Sequence, residues 1–99
     1  MLTLPIEKKW FDMILSGEKR EEYRGYTNYY FSRFEHALDS AQPIFVIFRN
    51  GYRADSPYIQ ALVRVGVGYG LPEWGAEPGK KYYVLNILVI VSVYKGAEE

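Results

Sequence analysis

The sequence predicts an α+β fold: a mostly antiparallel β-sheet, curled into a small barrel, with two helices. Three observations carry this. Hydrophobic residues make up 48% of the 99 residues, enough to bury one core but too short a chain for two. Two stretches in the first forty residues carry apolar side chains at helical spacing. The second half holds three runs of β-branched and aromatic residues, separated by glycine, proline and asparagine turns. Closing such a sheet removes edges that a chain so rich in β-formers would otherwise expose. Residues 1–99 are read as a single domain.

Each element has its own justification. Met1 to Leu4 is short, apolar and strand-like. Pro5 is expected to open a helix, where its missing amide hydrogen does no harm. Ile6, Trp10, Met13 and Ile14 define the core face of that helix, and Gly17 ends it in a left-handed conformation. Glu18 to Arg24 then reads as a strand. Thr27 caps a second helix over about Asn28 to Leu38, with Tyr30, Phe31, Phe34 and Leu38 as its apolar stripe. Asp39 to Pro43 is loop. "PIFVIFRNGY" is a strand stopped by Asn50-Gly51, and "RADSP" continues that turn. "YIQALVRVGVGYG" is the next strand, "LPEWGAEPGKK" a loop, and "YYVLNILVIVSVY" a long final strand.

Composition excludes several classes. With no cysteine, disulfides, thiolate metal sites and a cysteine nucleophile are ruled out. The single His36 cannot build a multi-histidine metal site and is placed at the surface or boundary of the second helix. No cofactor is implied. Twelve bases balance twelve acids, against a protein that grips nucleic acid through many phosphate contacts, although a small basic pocket is compatible. Glu98 and Glu99 are acidic, leaving the rest slightly positive. No apolar run reaches membrane-spanning length and no signal pattern follows Met1, so a cytoplasmic protein away from membranes is expected. Ten tyrosines suit half-buried sheet positions, with base stacking as a second use.

Ser16 to Gly25, "SGEKREEYRG", concentrates three bases and three acids directly after an apolar helix. On a strand, Glu18, Arg20, Glu22 and Arg24 share one face, with Lys19, Glu21 and Tyr23 on the other. Near the Gly17 turn the alternation can fail, letting Lys19 swing towards Glu22. A lysine desolvated beside another cation has a lowered pKa and can serve as base or nucleophile. An arginine offers a rigid fork for phosphate or a carbonyl edge. Against this stands the ordinary outcome, an exposed Glu22–Arg24 pair two residues apart, which is worth little.

The same stretch reads G-x-K-x-x-E-x-R, with Gly17, Lys19, Glu22 and Arg24 in the fixed places. It resembles the signature of the ASCH domain family, whose fold is a PUA-like β-barrel. The resemblance extends to the preceding helix, "WFDMILSG", and to "PEWGAEPGKKYYVLNI" late in the chain. It implies an RNA or a nucleotide-like small molecule as partner, held in a cleft beside the motif. It also implies two enzymatic alternatives: a hydrolase of a modified nucleoside, resembling the N4-acylcytidine amidohydrolases, or a ribonuclease. In the amidohydrolases the catalytic lysine occupies the position of Lys19, but a threonine stands where this chain has Glu22. As an enzyme the chain would use Lys19 and Glu22, with Glu73 or Glu77 as a second carboxylate.

Three further residues join the candidate ligand-binding set of Gly17, Lys19, Glu22 and Arg24. Arg49 and Asn50 end a strand, where they can read a base edge or hold a phosphate, or simply build the turn. Trp74 lies in a loop, where it can stack on a base or plug the mouth of the barrel. Trp10 is assigned to the core, and Lys80 and Lys81 to solvent.

Overall fold

In the computed structural model, which describes residues 1–96, the elements are β1 (Leu2–Pro5), α1 (Lys8–Ser16), β2 (Glu21–Gly25), α2 (Asn28–Ser40), β3 (Ile44–Arg49), β4 (Tyr58–Tyr69), a 3₁₀ turn at Pro72–Trp74 and β5 (Lys81–Tyr94). The acidic pair Glu98 and Glu99 lies outside the described residues.

The α+β class and the two helices are as expected; the closed barrel is not. Five strands form one sheet in the order β1-β3-β4-β5-β2, curled so that its first and last strands approach without pairing. The sheet is also mixed, because β1 runs parallel to β3 while all other pairs are antiparallel. Closure fails for a local reason. β1 is four residues long and ends in Pro5, which has no N–H to give a neighbouring strand. A side chain bridges the gap instead: Arg24 Nη2 on β2 donates to the Pro5 carbonyl at 2.6 Å.

Alternation on the strands builds the core. Val46 and Phe48 from β3, Ile59, Ala61, Val63 and Val65 from β4, and Tyr83 and Leu85 from β5 point to the inside of the curl. Phe34 and Ala37 of α2 and Phe11 and Ile14 of α1 cover them. Two residues of β5, Leu88 and Val91, have no partner in the β4 register. They are bulges, and bulges add bend and twist to a strand.

Several boundaries differ from expectation. Pro5 ends β1 rather than opening α1, whose N-cap is Glu7, so Ile6 is buried just outside the helix. Phe11 and Ile14 are the buried positions of α1, and Trp10 packs only partly into the core. Gly17 ends the helix at φ 86°, its N–H bonded to the Ile14 carbonyl. Thr27 caps α2 by accepting from the Tyr30 N–H at 3.4 Å. Phe31 stands exposed, since the stripe of α2 runs through Tyr30, Phe34, Ala37 and Leu38. Among the described residues no helix is long and apolar enough to cross a membrane.

Candidate functional site

The site begins at the end of α1. After Gly17 reverses the chain, the Lys19 N–H bonds back to the Met13 carbonyl at 2.9 Å. Lys19 therefore lies under the helix before β2 starts, and strand alternation does not apply to it. Its side chain runs inwards and is only 1% exposed. The ammonium donates to the Trp74 carbonyl, sits 3.2 Å from Glu22 Oε1, and faces the rings of Trp10 at 4.9 Å and Tyr23 at 4.8 Å. Burial pushes the Lys19 pKa down from 10.5; Glu22 works against that shift and Arg24 adds to it.

Within β2 the alternation holds. Glu22 and Arg24 share the inward face at 6% and 9% exposure. Glu22 Oε2 accepts from Arg24 Nε at 3.1 Å and Nη2 at 2.6 Å, a two-pronged contact. The pair is thus formed, but in the interior rather than on an exposed strand. Arg24 Nη1 also donates to the Tyr30 hydroxyl at 3.3 Å. Together these bonds make one continuous chain: Trp74 carbonyl, Lys19, Glu22, Arg24, then Pro5 carbonyl and Tyr30. With Glu7, which lines a cleft beside them, the group brings together two basic and two acidic side chains.

A cleft of about 270 Å³ opens over the Arg24 end, between the unpaired edges of β1 and β2. Pro5, Ile6, Glu7, Trp10, Glu22, Tyr23, Arg24, Gly25 and Tyr30 line it. Backbone groups contribute as well. Ile87 N–H bonds to the Arg20 carbonyl, so by antiparallel alternation Glu22 and Arg24 turn their backbone polar groups towards β5. Those of Tyr23 and Gly25 then face the cleft; the Gly25 carbonyl is taken by the Thr27 N–H.

The residues singled out from sequence are only partly brought together. Glu22 and Arg24 line the cleft, whereas Gly17 shapes the helix end and Lys19 lies beneath, its ammonium spent on Glu22 and the Trp74 carbonyl. Trp74 contributes that carbonyl, and its ring is outside the lining. Glu73 and Glu77 are exposed and do not line the cleft; Glu7, at the start of α1, is the carboxylate that does. Asn50 braces the turn, its Nδ2 donating to the Ile6 carbonyl at 2.9 Å, and borders a larger neighbouring hollow of about 420 Å³ with Gly51 and Tyr52. Arg49 donates to the carbonyls of Arg53 and Ala54 and lies over Tyr58, which is turn and strand bracing. From sequence, Trp10, Tyr23 and Tyr30 read as packing residues; their spacing gives no sign that one face of each meets a cleft. Among the described residues no group of His, Asp and Glu side chains is placed to hold a metal ion.

No family model, curated protein or solved structure matches this chain.

Proposed function

We propose that this protein binds RNA or a nucleotide-like ligand in the cleft between β1 and β2, as its likeness to ASCH domains implies. One observation supports the reading most: Arg24 reaches the cleft already fixed by Glu22, Pro5 and Tyr30. Four of its five N–H groups are engaged in those bonds, and the last, on Nη1, is left for a ligand. A guanidinium held this way loses little freedom on binding a phosphate or a base carbonyl. The remaining Arg24 N–H suits an anionic oxygen or a carbonyl, and Trp10 and Tyr30 bring aromatic rings to the wall where a base would lie. The Tyr23 backbone supplies a donor and an acceptor for its polar edge. Volume agrees, because the cleft is below the range of about 300–1,000 Å³ used for drug-sized ligands and suits a nucleobase or nucleoside.

The division of labour follows from the bonds. Arg24 meets the ligand, Glu22 holds both cations in place, and Lys19 ties the segment around Trp74 to the motif. Titration of nucleosides, ribonucleoside monophosphates and short RNAs at low salt tests the reading. Arg24→Lys keeps the charge but loses the fork, and should weaken binding about tenfold, the loss of one charge-assisted hydrogen bond. No binding of any of these at low salt overturns the reading, since charge contacts are strongest there.

The desolvated Lys19, with its lowered pKa, favours a second reading as a hydrolase of a modified nucleoside. Lys19 would be the base, which requires the segment around Trp74 to move and release the ammonium. Hydrolysis of N4-acetylcytidine that disappears in Lys19→Ala distinguishes this reading from simple binding.

A further inference from the structure

Five aromatic rings run outwards from the cleft. Tyr30, which lines it, meets Tyr29 edge-on at 4.9 Å and stacks on Phe34 at 5.8 Å. Phe34 touches Tyr83 at 5.6 Å, and Tyr83 touches Tyr26 at 4.9 Å. Phe34 and Tyr83 are buried, so the arc surfaces at two places, Tyr29 at 58% and Tyr26 at 53% exposure. The two rings give little to the core, and each carries a cation. The Arg33 guanidinium lies 3.5 Å from the Tyr29 ring centre, and the Lys81 ammonium 5.1 Å from that of Tyr26. Among the described residues neither Arg33 nor Lys81 forms an ion pair with a carboxylate. A neutral chain with twelve acids has thus left two cations beside two open tyrosines, next to its cleft.

We propose that this arc is the path of a single strand of nucleic acid leaving the cleft, its bases stacked on Tyr26 and Tyr29 and its phosphates beside Arg33 and Lys81. Aromatic faces accept any base, and cations beside them, Arg33 held there by its bond to the Tyr29 carbonyl, neutralise the connecting backbone, which is the chemistry of sequence-tolerant single-strand binding. The proposal rests on the reading of the cleft as a nucleotide site, and it separates a strand from a free nucleotide. A mononucleotide ends inside the cleft and reaches neither exposed ring.

The test compares the four ribonucleoside 5′-monophosphates with a mixed-sequence ten-nucleotide single-stranded RNA, by titration at low salt. The RNA should bind at least about tenfold more tightly than any mononucleotide, since each stacked base is worth a factor of roughly five or more. Tyr26→Ala with Tyr29→Ala should remove that advantage and leave mononucleotide affinity unchanged. Tyr26→Phe with Tyr29→Phe should keep it, because the stacking face survives. Arg33→Glu with Lys81→Glu should weaken the RNA and flatten its salt dependence, by about 0.7 in the slope for each phosphate no longer neutralised. If mononucleotides bind and the RNA binds no more tightly, the path is wrong while the cleft reading stands. RNA affinity indifferent to the alanine pair, in a protein that still melts cooperatively, also overturns the path. RNA binding that depends on the tyrosines but is indifferent to Arg24→Lys, without any mononucleotide binding, means that no strand starts in the cleft and overturns both readings; no binding of either also removes both.

Discussion

Near its start β5 is flanked by β2, and the side chains gathered there include Lys19, Glu22 and Arg24, which water barely reaches. Near its end β5 has only β4 beside it, and Leu88, Val89, Val91 and Val93 stand exposed. The usual distribution of charge and oil is reversed at both places. At the first, ionic bonds do the work that a backbone ladder would do between β1 and β2. Each buried charge is tied to another or to a carbonyl, so none is left to bear its desolvation alone. At the second, an apolar edge strand risks pairing with another chain, and the bulges at Leu88 and Val91 spoil its regularity as a template. The seam is a place where one change has large consequences; the far end of β5 tolerates change.

The sharpest way to break this contrast is Glu22→Ala. It strands two buried cations at once, and removing one member of a buried ionic group costs about 3–5 kcal/mol. That is a large share of the roughly 5–15 kcal/mol that holds a domain folded. Urea unfolding should show a much lower midpoint with an unchanged slope. A loss under about 1 kcal/mol would mean the pair behaves like an exposed one, and that the seam is not held ionically.

Lys19→Met comes next. Methionine fills much of the same space, and Glu22 keeps its partner Arg24, but the Trp74 carbonyl loses its donor. A fully buried acceptor left unsatisfied costs about 1–3 kcal/mol, and this part-buried carbonyl should cost no more than that. The pH dependence is more specific than the size. Lys19 has a folded pKa below its ordinary 10.5, so between those values the unfolded chain binds more protons than the folded one. Stability contributed by this group therefore rises with pH across that window and levels off above 10.5. The methionine variant lacks that rise. The stability of the wild type minus that of the variant should increase from neutral pH towards 10.5, measured by urea unfolding at each pH. Tyr23 holds its proton more tightly in the folded state, chiefly through burial, and favours unfolding as pH rises above 10.0, but it is common to both chains. A difference that stays flat, or falls, would mean burial does not dominate at Lys19.

Much of the seam was legible because its signals are local. Gly17 follows an apolar helix, and Glu22 and Arg24 are two apart on a strand, so a left-handed helix end and a same-face pair follow from short-range rules. What makes the pair buried is not local. The Trp74 carbonyl that receives Lys19 lies 55 residues away, and the Pro5 carbonyl that receives Arg24 belongs to a strand whose partner, β3, comes after both helices. Periodicity carries no information about such meetings. The same limit explains the barrel: β-rich composition argues for hiding edges, but whether β1 meets β2 turns on Pro5 and on strand length. Tyr30 shows the limit within a helix, since the spacing that marks a core stripe cannot tell which position looks into a cleft. The bulges were invisible because a residue skipped in the β4–β5 register leaves no mark on hydrophobicity.

The smallest expected effect lies at that bulged end. Leu88→Lys with Val91→Lys places two charges on side chains that are already exposed, at positions without cross-strand partners. Surface changes of this kind stay within about 0.5 kcal/mol each. The unfolding midpoint should barely move, while light scattering at high protein concentration should fall, because charge on an open edge opposes association. A destabilisation approaching that of Glu22→Ala would show that these side chains are packed after all. The two ends of β5 would then differ in chemistry but not in structural weight.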